Sequence, residues 1–273
     1  MFAKSTSIIN SFQGLSPSLA MSRVLGLQDV VYGPKELDTV VRALEASNVK
    51  RVVDIGCGYG GFSRSIAIRK PDLTQILGID ISEQRVSGAL GDSGNPSNLF
   101  FKQADITQQA VLESLLPSAD AIIFRYTLQH IQDVTLMERV LDVLRTGATI
   151  FVIEGVFNFY SEFPDRGLFF EFLNKFKMFY KKHGSDPFVV DRLPIELKKY
   201  GYKEIDVQLH YHSNHNPNAA DFIELIIGTA WLIHLYDEDL MSRAFVESLE
   251  NSIKQHCDTT LVTMPSAVIR ARK

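Results

Sequence analysis

The chain has 273 residues, a formal net charge of −4 at pH 7 and 22% charged residues. This length suits one large α/β domain or one domain with an added cap. The negative charge argues against a nucleic-acid partner, because binding to phosphates requires a basic face. No stretch approaches the roughly 20 apolar residues of a membrane span. The two cysteines, Cys57 and Cys257, are too few for a disulfide framework, so we expect reduced thiols and a cytoplasmic protein.

Residues 1–34 precede the first strong strand signal and are interpreted as an N-terminal cap segment. Strand-like and helix-like segments then alternate between residues 40 and 151, which predicts a parallel sheet covered on both faces. Continuous apolar runs predict five buried strands: Arg51–Ile55, Gln75–Asp80, Leu99–Gln103, Ala119–Phe124 and Ala148–Glu154. Helices are predicted beside them at Pro34–Ser47, Phe62–Arg69, Glu83–Ala89, Gln108–Leu115 and Leu136–Arg145.

The character of the chain changes after Gly155, where ten aromatic residues lie between Phe157 and Tyr180. We predict helical insertions over about 156–184 and 217–256, both within one domain that spans 35–273. The sheet domain is predicted to resume with three further elements: a helix at Leu193–Tyr200, a strand at Tyr202–Tyr211 and a closing strand at Thr260–Ala271.

The strongest motif is the segment Val52–Gly61, which reads as a strand, a tight glycine turn and a helix start. The glycines of the turn are Gly56, Gly58 and Gly60. Glycine permits positive φ and has no Cβ, so a ligand can lie against the backbone. Asp80 ends the next predicted strand, where a carboxylate suits hydrogen bonds from two ribose hydroxyls. Asp80 and the adjoining Ile81 are therefore cofactor-binding candidates.

Asp54 distinguishes between two kinds of nucleoside cofactor. Gly56, Gly58 and Gly61 also match the dinucleotide pattern G-x-G-x-x-G, so an NAD-dependent oxidoreductase is the alternative enzyme. A carboxylate at the mouth of the loop would repel a pyrophosphate on the helix N-terminus. S-adenosylmethionine (SAM) carries an ammonium and a sulfonium but no phosphate, and an acidic loop suits it, directly or through water.

Two later segments follow the third and fourth predicted strands. Asp105 is placed to accept a hydrogen bond from the adenine amino group, while Ile106 packs on the ring. Phe124 to Asp133 leaves the fourth strand and contains Arg125 and His130. Ligands of open α/β sheets bind at this carboxyl edge.

These residues resemble the class I SAM-dependent methyltransferases, most closely the bacterial type that acts on small, natural-product-like molecules. The resemblance covers roughly 35–155 and implies a Rossmann-like, seven-stranded, mostly parallel sheet of order 3-2-1-4-5-7-6. Its seventh strand would be antiparallel, and the helical insertions would form a cap. SAM would be the cofactor and S-adenosylhomocysteine the product. A tyrosine ahead of the first strand often contacts the methionine carboxylate in this family, which makes Tyr32 a candidate; packing at the helix start is its other interpretation.

Three residues are candidates for catalysis. A neutral His130 can take a proton during methyl transfer; it could equally donate to the cofactor or serve only as a helix-start residue. Arg125 could bind a carboxylate or carbonyl of the cofactor or substrate, or extend to solvent. Glu154, at the end of the fifth strand, could orient a substrate amine or hydroxyl.

His210, His212 and His215 form an H-x-H-x-x-H pattern. They could line the substrate pocket or be ordinary loop histidines, and without a clear acidic ligand we predict no metal site. The aromatic insertion favours a small, apolar or aromatic methyl acceptor, although it could also be the core of its own helix. A non-catalytic protein with a SAM-binding fold, and a homodimer formed through the insertions, are further options.

Overall fold

The computed structural model describes residues 7–163, 167–256 and 259–273, so the predicted free thiol of Cys257 lies outside the described residues. The strands are β1 (Arg51–Ile55), β2 (Gln75–Asp80), β3 (Leu99–Gln103), β4 (Ala121–Arg125), β5 (Thr149–Gly155), β6 (Ser161–Phe163), β7 (Lys203–His210), β8 (Leu261–Thr263) and β9 (Ser266–Arg272). The helices before residue 150 are α1 (Ile8–Phe12), α2 (Pro17–Val31), α3 (Gly33–Glu45), α4 (Gly61–Arg69), α5 (Glu83–Leu90), α6 (Gln109–Leu115) and α7 (Leu136–Val143). The later helices are α8 (Leu168–Lys182), α9 (Val189–Lys199), α10 (Ala219–Tyr236) and α11 (Arg243–His256).

Seven of the strands form one sheet in the order β3-β2-β1-β4-β5-β9-β7. Numbered within this sheet alone, the order is 3-2-1-4-5-7-6. Strands β1 to β5 run parallel, and β9 is antiparallel to both of its neighbours. The predicted Rossmann-like topology is therefore confirmed. Burial explains the apolar runs, since the described residues of β4 and β5 are almost all inaccessible, as expected for strands covered on both faces.

Two predicted elements differ from the structure. The closing run Thr260–Ala271 is not one strand, because it breaks at Met264 and Pro265 into β8 and β9. Proline has no N–H to donate to a sheet ladder, which accounts for the break. The first insertion is not wholly helical: β6 precedes α8 and pairs antiparallel with β8 in a separate two-stranded sheet.

The chain divides into two compact units. The sheet unit comprises Gly33–Gly155, Phe188–His210 and Ser266–Lys273 and contains the seven-stranded sheet. The helical unit comprises the described parts of Met1–Tyr32, Val156–Pro187 and Tyr211–Pro265. The aromatic insertion and the second insertion thus belong to the same unit as the N-terminal helices.

Helix α10 is the centre of the helical unit and packs against α1, α2, α8 and α11. By length and composition it is the one described helix that could cross a membrane, and 56% of that stretch is buried inside the protein. Burial against four neighbouring helices also accounts for a helix that is apolar on all sides.

The first helix of this unit is held by a buried carboxylate of α11. Glu250 accepts hydrogen bonds from Ser7 Oγ at 2.9 Å, from the amide of Ile8 at 2.6 Å and from the amide of Ile9 at 3.3 Å. Burial raises the pKa of Glu250, but hydrogen bonds from Lys254 and from these three groups outweigh burial and lower it. The carboxylate thus replaces a side-chain cap at the N-terminus of α1.

We predict that Glu250→Ala destabilises the helical unit by about 1–2 kcal/mol, the usual cost of a lost cap. Because the folded-state pKa is lowered, the stabilisation is present above the ordinary carboxyl pKa and is lost as pH falls through the folded value. Urea unfolding at pH 7 and pH 3.5 measures both effects. Glu247→Ala, which removes an exposed carboxylate of the same helix, is the control. Equal unfolding midpoints for the two variants would contradict the assignment.

Candidate functional site

The segments that follow the parallel strands β1 to β4 all lie at one edge of the sheet unit. These segments contain the glycine turn after β1, Asp80 and Ile81 at the end of β2, Asp105 after β3, and the turn Thr127–His130 after β4. The structure therefore brings together the candidate groups from four successive strand ends. This edge is where open α/β sheets bind ligands.

The glycine turn has left-handed backbone at Gly56, Gly58 and Gly60, with φ of +76°, +57° and +79°. A Cβ on Gly56 would lie 2.3 Å from Thr127 Oγ1, and one on Gly60 would lie 2.4 Å from the Phe101 ring. Glycine is therefore required at both positions by the backbone conformation and by neighbouring side chains of the protein.

Asp80 is buried and is joined to the glycine turn. Its Oδ2 accepts a hydrogen bond from the amide of Gly58 at 3.0 Å, and its Oδ1 accepts one from the amide of Ser82 at 2.9 Å. Nη1 of Arg85, in the first turn of α5, lies 3.7 Å from Asp80 Oδ2. An ionised carboxylate has about four acceptor positions, so two remain beyond those that the amides use.

The two isoleucines of the predicted adenine site differ in exposure. Ile81 is 65% exposed, whereas Ile106 is 7% exposed. Ile81 thus presents the larger apolar surface at the edge. Asp105 accepts hydrogen bonds from the amide and hydroxyl of Thr107, and these, with a third from Gln108, lower the pKa of Asp105 against a small opposing effect of burial. Asp105 is therefore an ionised acceptor at neutral pH.

Asp54 does not lie at the open mouth of the loop, as the sequence interpretation had it. Its side chain is 1% exposed, and Oδ2 accepts a hydrogen bond from Ser63 Oγ at 2.5 Å. Ser63 is in the first turn of α4. The carboxylate therefore lies beneath the glycine turn, close to the positive end of the helix dipole.

Arg125 is not extended towards solvent. Its Nε donates to Glu36 Oε2 at 2.8 Å, and its guanidinium lies 4.6 Å from the centroid of the Phe62 ring. Glu36, on α3, is fully buried, and its Oε1 accepts a hydrogen bond from Tyr126 Oη at 2.7 Å. Tyr126 has a left-handed backbone with φ of +50°. The guanidinium thus neutralises a buried acid, and its predicted contact with cofactor or substrate stays a prediction.

His130 and Glu154 are connected through the turn after β4. His130 ends this turn, and desolvation, followed by the charge of Arg85, lowers the pKa of His130 to about 4. An imidazole with this pKa is neutral at pH 7 but is a weak base, because an efficient general base has a pKa near the working pH. Glu154 is buried, and its Oε1 accepts a hydrogen bond from the amide of Thr127 at 2.9 Å. It holds the protein backbone, which argues against the direct substrate contact suggested by the sequence.

The three histidines of the H-x-H-x-x-H pattern are divided between the units. His210 is in β7 of the sheet unit, with Nε2 3.0 Å from Thr39 Oγ1. His212 and His215 belong to the helical unit. Among residues 7–163, 167–256 and 259–273, no group of three or more His, Cys, Asp or Glu side chains is arranged to hold a metal.

Tyr32, the predicted contact of the methionine carboxylate, also belongs to the helical unit. Its ring lies 4.7 Å from that of His212, and its hydroxyl lies 3.9 Å from the sulfur of Met264. The side chain is 3% exposed. These contacts are those of a packed residue, and a cofactor role for Tyr32 stays a prediction.

Sequence reasoning missed three residues of this site. Glu36 has no local signal, because its partner Arg125 is 89 positions away in the chain. Thr127 stands within the motif after β4 without a signal of its own, although its hydroxyl donates to the carbonyl of Ile55 at 3.1 Å and so joins the ends of β4 and β1. Arg85 had a usable signal, since it lies in the first turn of the helix that follows Asp80.

We predict that Gly56→Ala destabilises the sheet unit by more than about 1 kcal/mol, because a Cβ is unfavourable at positive φ and meets Thr127. Gly33→Ala is the matched control, since a Cβ at Gly33 has no atom within 4 Å. Thermal unfolding of the two variants measures the difference. Wild-type stability in Gly56→Ala would show that the turn is not constrained in this way.

Arg125→Met is predicted to cost about 3–5 kcal/mol, because it leaves the Glu36 carboxylate buried without its cation. Adding Glu36→Gln to this variant should restore part of the loss. Arg69→Met, which breaks an exposed ion pair with Asp38, should cost less than about 1 kcal/mol. Chemical denaturation compares the four proteins. An Arg125 variant as stable as the Arg69 variant would contradict a structural role for the guanidinium.

Residues 32–158 match the family described as "Methyltransferase domain". The chain is similar to carboxy-S-adenosyl-L-methionine synthase from a Nitratiruptor species, with 28% identity over 164 residues that cover 57% of this chain and 64% of that protein.

Two solved structures share the fold. Phosphoethanolamine N-methyltransferase 2 of Haemonchus contortus in complex with SAM superposes with a TM-score of 0.59 at 16% identity, covering 99% of this chain and 60% of that chain. Human N-acetylserotonin methyltransferase in complex with SAM gives a TM-score of 0.51 at 21% identity, covering 71% and 53%. The chain spans less than two thirds of the length of each of these three relatives. Residues 32–158 thus resemble a methyltransferase domain, and the order of the sheet agrees with the fold of these two SAM-bound structures.

Proposed function

We propose that this chain binds SAM at the edge of its sheet unit and transfers the methyl group to a small, largely apolar or aromatic metabolite. S-adenosylhomocysteine is the second product. The nucleophile is an oxygen, nitrogen or carbon atom of the acceptor. The observation that carries the proposal is the Asp80 carboxylate, which the amide of Gly58 holds beside the glycine turn.

The residues at this edge fit the parts of SAM. Asp80 retains two acceptor positions for the two ribose hydroxyls. The exposed side chain of Ile81 offers an apolar surface for the adenine ring, and Asp105 offers an ionised acceptor for the adenine amino group. The fit uses hydrogen-bond acceptors and apolar surface, which the adenosine part of SAM requires.

The same edge fits a dinucleotide less well. A pyrophosphate would occupy the N-terminus of α4, where Asp54 already hydrogen-bonds to Ser63 in the first helical turn. A second anion there would be repelled by the carboxylate. This contact favours SAM over NAD and supports a methyltransferase over an NAD-dependent oxidoreductase.

The aromatic rings of the helical unit support an apolar or aromatic acceptor. The ring centroid of Phe157 lies 4.7 Å from that of Tyr160 and 5.2 Å from that of Phe176. The ring centroids of Phe176 and Tyr180 are 4.8 Å apart. Phe176 and Tyr180 are only partly buried, so their rings retain surface for a ligand. The human relative is named for an acceptor that contains an aromatic ring system, N-acetylserotonin, whereas the nematode relative is named for the polar phosphoethanolamine. The rings of this chain favour the first class.

The protein's part in the reaction is alignment and proton transfer. When bound, SAM supplies a methyl group on a positively charged sulfur, which is already reactive towards nucleophiles. Rigid binding of both reactants can be worth an effective molarity of about 10⁵–10⁸ M. His130 is the proposed acceptor of the proton that a substrate hydroxyl or ammonium loses, and binding of the reactants would have to raise its low pKa for this step. The same proposal includes a natural-product-like acceptor, a cytoplasmic location and a homodimer. The alternative function is that of a non-catalytic partner protein that binds SAM.

Calorimetry with SAM tests the cofactor assignment. We predict that Asp80→Asn weakens SAM binding about 10- to 100-fold, because each hydrogen bond to a charged group contributes about 1.5–3 kcal/mol. Asp72→Asn removes an exposed carboxylate and should bind SAM as the wild type does. NAD should not bind to any of these proteins. Equal SAM affinity in the two variants would exclude the assigned role of Asp80.

A methyl-transfer assay against phenols, aromatic amines and phosphorylated alcohols separates the enzyme from a binding protein. Turnover of an aromatic acceptor is the expected result. Tight SAM binding with no turnover on any of these acceptors would favour the non-catalytic alternative.

A further inference from the structure

Glu154 is an acid at the end of an otherwise apolar buried strand, β5. Its side chain is 1% exposed. One oxygen, Oε1, accepts hydrogen bonds from the amides of Thr127 at 2.9 Å and Gln129 at 3.4 Å. The amide of Leu128 also contributes. Through these contacts the carboxyl of Glu154 holds the backbone of the turn that ends in His130.

The other oxygen of Glu154 lacks a partner. Within the described part of the chain, Oε2 is buried and accepts no hydrogen bond, and no cation pairs with this carboxyl. The charged group that acts on Glu154 from a neighbouring element is Glu36 of α3, which itself binds Arg125 and Tyr126 at the end of β4. From β9, the residue paired with Glu154 is Ala267, between Ser266 and Val268, none of which titrates.

The balance of charge around Glu154 favours its neutral form. Glu36 and Glu154 are both buried, and Arg125 pairs with Glu36. An unpaired carboxylate in the interior costs far more free energy than a neutral carboxyl. Burial, opposed by the three amides and assisted by the charge of Glu36, raises the pKa of Glu154 to about 8.

We propose that Glu154 is a positioning residue that works in its protonated form: the neutral carboxyl holds the turn Thr127–His130 in the conformation that binds the reactants. Ionisation places an uncompensated charge beneath the turn. Water can solvate the charged Oε2 only when the residues that cover it move. Loss of the proton therefore favours an opened turn. The effect on binding rests on the proposed function, whereas the effect on the turn itself does not.

The free energy of folding should also depend on pH through the ionisation of Glu154. The folded-state pKa is above the ordinary carboxyl value of 4.5, so the folded protein binds more protons than the unfolded chain between these two values. Stability therefore falls as pH rises through this window and is flat above it. Glu154→Gln removes this contribution.

Amide hydrogen exchange of Thr127, Leu128 and Gln129, measured without ligand from pH 6.5 to 9.5, tests the proposal. After correction for intrinsic exchange rates, protection in the wild type should fall about tenfold between pH 6.5 and 8 and level off above pH 8. Glu154→Gln keeps a carbonyl acceptor without a titrating proton. Its protection should stay constant with pH, at the level that the wild type has at pH 6.5. Glu113→Gln, a change on α6, should retain the wild-type profile. Constant protection in the wild type, or the wild-type profile in Glu154→Gln, would overturn the proposal.

SAM affinity over the same pH range separates the two proposals. Binding to the wild type should weaken about fivefold or more from pH 7 to 9.5, while the affinity of Glu154→Gln stays constant. Parallel weakening in both proteins would contradict the role of Glu154. If neither protein binds SAM at any pH, the proposed function fails, and hydrogen exchange still decides the inference on the turn.

Discussion

The amide of Gly58 donates a hydrogen bond to the carboxylate of Asp80, and this contact joins the turn after β1 to the end of β2. A left-handed backbone at the glycine turn directs the amide at the carboxylate, and only glycine adopts such conformations at low cost. Thr127 completes the constraint, because it fills the space that a Cβ on Gly56 would occupy. Three strand ends are thereby held together before any ligand binds. Such preorganisation lowers the entropic cost of binding.

Buried acids beneath this edge support it, and each is stabilised in a different way. Asp54 accepts a hydrogen bond from Ser63, Glu36 pairs with Arg125, and Glu154 accepts backbone amides. These contacts connect α4, α3 and the turn after β4 to the sheet. A buried acid is tolerated when it is paired, hydrogen-bonded or protonated, and the three residues illustrate different combinations of these solutions.

The sequence was sufficient for the sheet but not for the direction of its acidic side chains. Continuous apolar runs marked the parallel strands correctly, because burial on both faces removes the alternation of polar residues. The glycine turn and Asp80 were also predictable, since their spacing reflects strand, turn and helix geometry. The protein contacts of Asp54 and Arg125 were not predictable, because their partners, Ser63 and Glu36, come close only when the helices pack. The break at Pro265 was available from the sequence, because proline interrupts a sheet ladder.

A crystal structure with S-adenosylhomocysteine tests the central claim most directly. The account predicts that the ribose hydroxyls hydrogen-bond to the Asp80 carboxylate and that the adenine lies between Ile81 and Asp105. A nucleoside bound elsewhere on the protein, or a diphosphate-containing cofactor bound at the N-terminus of α4, would contradict it.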